Sequence, residues 1–360
     1  MEHFTYTARP GRIIFGAGAL QHLAREVTLL GARRAIVLCT PEQRPQAQTV
    51  ADQLGSTAVG IFDRATMHVP VEIAKEALEW ARRLSADCAI AIGGGSTIGL
   101  GKAIALQSSD AHPMPILAIP TTYAGSEVTP IFGVTEGGLK RTGTDLRVLP
   151  RTVIYDAELT LSLPVRMSIT SGLNAMAHAA EGLYAQDRSP VMSLMAQEGI
   201  RALAAALPVI ARTPTDLNAR DEAQYGAWLC GTVLGSTGMA LHHKLCHTLG
   251  GSFNLPHAET HSVVLPHSLA YNEAAAPEAM RQIASALGTA SAPQGIHALA
   301  QACGAPTSLR SLGMREEDLD RATETACASP YWNPRPLDRE GIRMLLQDAF
   351  AGLSPRSGSA

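Results

Sequence analysis

Ile92-Gly-Gly-Gly-Ser-Thr-Ile-Gly-Leu-Gly-Lys102 follows the apolar run 88–92 and leads straight into helical periodicity. A strand that turns into a helix through three glycines is the βα junction of a parallel sheet. Its bare backbone lets N–H groups approach a phosphate at the helix N-terminus. Gly93, Gly94, Gly95 and Ser96 are therefore read as a phosphate cradle. The loop is not a Walker A loop, because Ala103 stands where a magnesium-binding Ser or Thr is required, and it is not the standard G-x-G-x-x-G fingerprint either.

Around this junction β-branched runs alternate with amphipathic stretches as far as residue 156. Strands are expected at 34–39, 57–62, 88–92, 115–119 and 152–155, with a helix over 71–86. The strand after the glycine loop ends in Ile119-Pro-Thr-Thr-Tyr-Ala-Gly-Ser-Glu127. Thr121, Thr122 and Ser126 thus fall at the carboxyl edge of the sheet, where open α/β folds bind ligands, and a dinucleotide lying across the two strand ends is expected. The strand over 34–39 ends at Cys39-Thr40 instead of an acidic residue that would hold a ribose 2′-hydroxyl. Cys39 is accordingly placed at the cofactor, and NADH and NADPH both stay open.

Beyond Leu163-Pro164 the β signal ends, and Ala/Leu/Met-rich periodicity predicts helices over 169–184, 191–210, 216–234, 239–249 and 277–287. The expected architecture is an α/β, Rossmann-like dinucleotide-binding domain over 1–160 and an all-α domain over 161–360. With 46% hydrophobic and 17% charged residues and a net charge of −3, the chain carries no basic cluster, which argues against nucleic-acid and membrane-surface partners. Six cysteines without a C-x-x-C pair, and a start with neither a basic nor an apolar segment, point to a reduced, cytoplasmic enzyme.

The chemistry concentrates in the helical half. Leu241-His-His-Lys-Leu-Cys-His-Thr-Leu-Gly-Gly-Ser-Phe-Asn-Leu-Pro-His257 holds His243 and His247 one turn apart, and Asn174 and His178 share the same spacing upstream. Two such pairs, with His257 after a loop, build a small polar chamber between helices. His242 is expected to face away from His243's partners, since adjacent helical residues diverge by about 100°. His261 is open between site and core, and the isolated His267 and His297 read as core residues.

Phe15-Gly-Ala-Gly18, Gly93–Ser96, Pro120-Thr-Thr122 with Gly125-Ser-Glu127, and His243-x-x-x-His247 with His257 occur in order, and together they resemble the iron-containing, or group III, alcohol dehydrogenases. The resemblance runs from about Arg12 to about Tyr271. It implies an active site in the cleft between the two domains and a metal held at positions that correspond here to Asn174, His178, His243 and His257, with His247 beside them. It also places Lys140 near the cofactor and implies a homodimer. The family's aspartate is Asn174 in this chain, and a neutral amide is a poor ligand for a divalent cation, so no metal is expected.

This change, the shortened loop Thr-Thr-Tyr-Ala-Gly-Ser-Glu127, the stretch 257–261 and Asn333-Pro-Arg-Pro336 resemble the maleylacetate reductase branch. That likeness implies NAD(P)H-dependent, metal-independent reduction of a small dicarboxylate, maleylacetate, to 3-oxoadipate. His243 would then be the acid, with His178, His247 and His257 lining the pocket, Asn174 orienting a partner and Arg335 offered to a carboxylate. The alternatives are a metal-dependent alcohol or polyol dehydrogenase and a non-redox NAD-binding protein.

Overall fold

The computed structural model describes residues 4–9, 11–109, 113–137, 139–328 and 331–356. Two compact units emerge, one of Thr7–Leu163 and one of Pro164–Ala360 together with the N-terminal Met1–Tyr6. The first contains strands β1 (Arg12–Phe15), β2 (Ala35–Leu38), β3 (Ala58–Phe62), β4 (Cys88–Gly93), β5 (Ile116–Pro120), β6 (Ile131–Glu136), β7 (Leu139–Thr144) and β8 (Thr152–Tyr155). Its helices are α1 (Leu23–Leu29), α2 (Arg44–Leu54), α3 (Val71–Arg83) and α4 (Gly95–Gln107).

Six strands form a parallel sheet in the order β1-β8-β5-β4-β2-β3, and β6 and β7 pair as an antiparallel hairpin. All six residues of β4 are buried, as a central strand covered on both faces requires. Val37, Ile90, Ile92, Leu117 and Ile119 pack on one face with Leu23 and Val27 of α1 and Ala47 and Val50 of α2. Ile36, Leu38 and Ala89 take the other, against Ala74, Ala77 and Leu78 of α3 and Leu100, Ala103 and Ile104 of α4. Each buried Leu or Ile contributes roughly 1.5–3 kcal/mol, so the strict alternation sets the register.

The expected strands are present within a residue or so of their predicted ends. Helix α3 stops short of residue 86, because Ser85 adopts φ 50°, which no α-helix continues. Strand β1 and the β6–β7 hairpin escaped the reading. Both carry partly or fully exposed positions on either face, so they lack the apolar pattern that marks a strand.

The second unit comprises α5 (Val165–Tyr184), α6 (Pro190–Arg212), α7 (Leu217–Leu234), α8 (Leu241–Phe253), α9 (His257–Asn272), α10 (Pro277–Leu287), α11 (Ala292–Ala302), α12 (Leu319–Cys327) and α13 (Arg339–Ala351). Helix α5 is its axis, buried at every position from Ser168 to Tyr184. Small residues let its neighbours approach: a Cβ at Gly172 would sit 2.7 Å from Leu207 of α6, and one at Gly182 would collide with Val233 of α7. Helix α6 is long and apolar enough to cross a bilayer by composition, yet it packs against α5 and α7 and pairs Arg201 on its exposed face with Glu198 and Glu222. Helix α9 was not expected, because Pro266 lies inside it and buried polar residues obscure its period.

His267 of α9 and His297 of α11 lie ring to ring at 6.4 Å, both buried, as part of this core. Burial pushes the His267 imidazole down to about 4 from its ordinary 6.5. Between those values the unfolded chain binds a proton that the folded chain refuses, so this contribution is intact above about pH 6.5 and is lost as pH falls toward 4. Thermal melts should show Tm dropping over that range. His267→Met should be less acid-sensitive by ~3 kcal/mol, and an unchanged acid limb in that variant would exclude His267 as its source.

Candidate active site

In the first unit, the chain runs from β2 outward to β3, returns to β4 and then proceeds the other way through β5 to β8. The direction of winding therefore reverses between the adjacent strands β2 and β4, the place where open sheets take ligands. Gly93 ends β4 at φ 152°, a conformation that a side chain would strain, and a Cβ there would lie 2.5 Å from both Gln43 Oε1 and Thr97 Oγ1. Gly94 is the N-cap of α4 and has no side-chain cap, and a Cβ on it would meet Thr122 Cγ2 at 2.8 Å. The glycine and hydroxyl loops thus touch: the Thr121 backbone N–H donates to the Gly93 carbonyl at 3.1 Å. Uncapped N–H groups at the start of α4 make this a fitting phosphate cradle.

The structure places the predicted residues unequally here. Gly93–Ser96, Thr121 and Thr122 adjoin one another, and Ser126 opens the turn that follows. Cys39 is a correction: its side chain is fully buried in the sheet's core, and burial lifts its thiol to about 11. The residue that reaches the loops from the end of β2 is Gln43, whose Nε2 donates to Thr121 Oγ1 at 2.6 Å. The side chain of Lys140 lies outside the described residues.

Lys102 is the last residue of the glycine stretch. It is buried to 1%, and its ammonium donates to the carbonyls of Ser126 (2.7 Å), Thr129 (2.9 Å) and Ile131 (2.7 Å) and to Thr129 Oγ1 (3.0 Å). It therefore staples the segment after the hydroxyl loop to α4. Burial lowers its pKa to about 7, a pull that nearby Glu127 opposes.

In the second unit, Asn174 and His178 lie one turn apart on α5, both buried. Helix α8 ends because Asn254 turns left-handed at φ 54°, and α9 starts three residues later behind Pro256. That tight turn folds His257 back toward α8. The result is one histidine cluster: ring centroids are 5.1 Å apart for His178–His243, 6.3 Å for His243–His247 and 4.2 Å for His257–His261. His247 and His257 are exposed at its rim, and His178, His243 and His261 form a buried floor.

Two residues join that the sequence had placed elsewhere or left open. His242 does not face away: its Nδ1 lies 3.4 Å from His243 Nδ1, and its ring packs 4.8 Å from His261. In the first turn of α8 its Nε2 is held to the His261 carbonyl at 3.1 Å, which overrides the simple angular expectation. His261 is 1% exposed with neither ring nitrogen bonded.

The residue that sequence reasoning missed altogether is Glu181. It is fully buried one turn beyond His178, on the face already marked by Asn174 and His178, so extending that face would have found it. Its Oε2 accepts from the Ala240 N–H at 2.9 Å and lies 2.7 Å from His243 Nδ1, and its Oε1 accepts from the His242 N–H at 2.8 Å and from Tyr184 OH at 3.3 Å. Burial pushes the Glu181 carboxyl up, and the α8 N–H donors pull it back. Burial holds His178, His243 and His261 well below the ordinary imidazole range, and their mutual proximity deepens the effect. Asn174 Oδ1, His178 Nδ1 and His243 Nε2 are buried without a partner, so the floor presents open hydrogen-bonding valences for a polar ligand.

Arg335, offered to a substrate carboxylate, is engaged elsewhere: its guanidinium stacks 4.1 Å from the Tyr271 ring and pairs with Asp338.

Residues 10–157 match the model of the iron-containing alcohol dehydrogenases, and residues 168–350 match the C-terminal domain of the Fe-containing alcohol dehydrogenase family. The chain belongs to the iron-containing alcohol dehydrogenase family. Within that family it is 62% identical over 355 residues to a maleylacetate reductase of Burkholderia cepacia, covering 99% of this chain and 100% of that protein. The crystal structure of the maleylacetate reductase of Rhizobium sp. strain MTP-10005 superposes with a TM-score of 0.95 at 55% identity, over 99% of this chain and 100% of that one. A more distant member, a 1,3-propanediol oxidoreductase, has a TM-score of 0.90 at 27% identity over 97% of this chain and 100% of that one.

Substituting Lys102→Met would leave three buried or partly buried carbonyls without their donor, and a loss of about 2–4 kcal/mol is expected in urea unfolding. A midpoint equal to that of the parent protein would show the staple to be dispensable.

Proposed function

We propose that the protein is a maleylacetate reductase that uses NADH or NADPH without a resident metal and yields 3-oxoadipate in the breakdown of aromatic compounds. What carries this reading is full-length identity to relatives of that name. The histidine chamber supplies chemistry that suits it.

The donor set is a poor match for the iron of the family name. Asn174 offers a neutral amide oxygen, and the one carboxylate bonded to the cluster, Glu181, is committed to two backbone N–H groups, Tyr184 and His243. Among the described residues, the metal-capable trio with all ligand atoms within 4.8 Å is His242, His243 and His261, a different set from the family positions. A site whose family-position donors include no anionic ligand is a poor fit for a divalent iron. The reaction is therefore derived without one.

Maleylacetate is an enone flanked by carboxylates. The Gly93–Ser96 cradle and the Thr121–Thr122 loop would hold the nicotinamide dinucleotide, which when bound would supply the hydride that the carbon β to the ketone takes up. The C=C electron pair moves onto oxygen as an enolate, and a proton delivered to the α-carbon completes 3-oxoadipate. His243 is the acid in this scheme when it enters as the imidazolium: its Nδ1 faces Glu181, and the Nε2–H on its unpartnered side supplies the proton to the α-carbon, leaving a neutral imidazole. His178 and His261 deepen the polar floor, and His247 and His257 at the rim meet the carboxylates. Asn174, whose side-chain oxygen is buried without a partner, orients a histidine or the substrate. The reduced cysteines and the family likeness support a cytoplasmic homodimer.

The test is NADH oxidation with maleylacetate by chelator-treated protein whose metal content has been assayed. Full turnover without metal is expected. Activity restricted to alcohol or diol oxidation after zinc or iron is restored would replace this reading with a metal-dependent dehydrogenase. His243→Ala should lower kcat by about 10²–10⁴-fold with NADH affinity unchanged, and wild-type turnover in that variant would remove His243 from the chemistry.

A further inference from the structure

We infer that Glu42, braced by Thr40, determines the choice of cofactor: its carboxylate accepts the adenosine ribose 2′-hydroxyl of NADH and repels the 2′-phosphate of NADPH. This deepens the reading above and rests on its use of a nicotinamide dinucleotide. A sheet that cradles the pyrophosphate at the β4–α4 junction lays the adenosine half over the end of the neighbouring strand, here β2. No acid stands directly at that end, where Cys39-Thr40 follows the strand. The fold brings one back. The chain enters a short helical turn, Pro41–Gln43, and the Glu42 carboxylate accepts from the Thr40 hydroxyl. That contact holds the Glu42 carboxyl below the usual carboxylate range, so it is ionised at neutral pH.

The same turn is fixed against the cradle. Gln43 donates to Thr121 Oγ1 at 2.6 Å, and its Oε1 lies 2.5 Å from where a Cβ on Gly93 would stand. Glu42 itself is exposed, open to a ligand lying over the strand end. The neighbouring cations are engaged with other carboxylates. Arg44 is the guanidinium placed to receive a 2′-phosphate, and its Nη1 pairs with Asp63 Oδ2 at 2.9 Å. Arg64, just beyond β3, pairs with Glu76 and lies 4.8 Å from the centre of the Phe62 ring. Glu42, Asp63 and Glu76 thus outnumber Arg44 and Arg64, and Glu42 is the carboxylate of the three without a guanidinium partner. A ribose hydroxyl can donate to that carboxylate. A 2′-phosphate, largely dianionic at pH 7, offers it only more negative charge.

The test is titration of the intact protein with NADH and with NADPH, followed by nicotinamide fluorescence with no maleylacetate present. The parent should bind NADH about tenfold or more tightly than NADPH. Glu42→Gln keeps the size of the side chain and an oxygen for the Thr40 hydroxyl but removes the charge. It should bring the two affinities within about threefold of each other, chiefly by strengthening NADPH. Equal affinities in the parent, or a preference that survives in Glu42→Gln, would overturn the inference. So would a preference for NADPH that Arg44→Gln abolishes, which would give the position to the guanidinium. Maleylacetate turnover is measured separately on the same preparations. Reduction of maleylacetate by a parent that does not discriminate would discard Glu42 and keep the reductase, whereas the expected discrimination in a protein that leaves maleylacetate untouched would keep Glu42 and discard the reductase. A protein that binds neither cofactor would discard both.

Discussion

The second unit depends on one buried carboxylate. Glu181 projects from the most enclosed helix and ties down the beginning of α8, the helix that supplies His242, His243 and His247. An unpaired carboxylate at full burial is costly, and this one persists because oriented N–H groups and a phenol take all its hydrogen-bonding capacity. The consequence reaches the chemistry: the group that closes the helix start also sets the direction of the His243 ring.

The first unit uses the mirror image of this device. Lys102 is buried and donates to three carbonyls and a hydroxyl of the segment that follows the hydroxyl loop, so a fixed cation organises backbone oxygens where Glu181, a fixed anion, organises backbone N–H groups. Both charges sit on helices and hold irregular chain that carries functional residues. In each unit a loop or helix start acquires a defined position without relying on its own weak packing.

The histidine cluster is graded in depth. Exposed His247 and His257 sit at the rim, and the floor of His178, His243 and His261 is dry and neutral-leaning because burial disfavours the imidazolium. The open valences on Asn174, His178, His243 and His261 suit a polar, oxygen-rich ligand better than an apolar one. Asn174 is decisive at this point, since an aspartate there would add an anionic oxygen to the same floor.

The sequence by itself determined the layered α/β unit, the helical unit and the histidine-bearing helices, because apolar period, glycine punctuation and one-turn spacings are local and survive without tertiary context. It also exposed the Asp-to-Asn difference at position 174, which is a matter of residue identity. What it left out depends on which strands and helices become neighbours. Gln43 reaches Thr121 only because β2 lies beside β4 although β3 and α3 separate them in the chain, and Cys39, which reads as a loop residue at a strand end, faces the core. His242 turns inward because α9 offers it a carbonyl, and Glu181 meets α8 across 62 residues of sequence. Such contacts have no local signature. They exist because burying a charge or an imidazole requires a partner, and only the packed fold decides which partner is within reach.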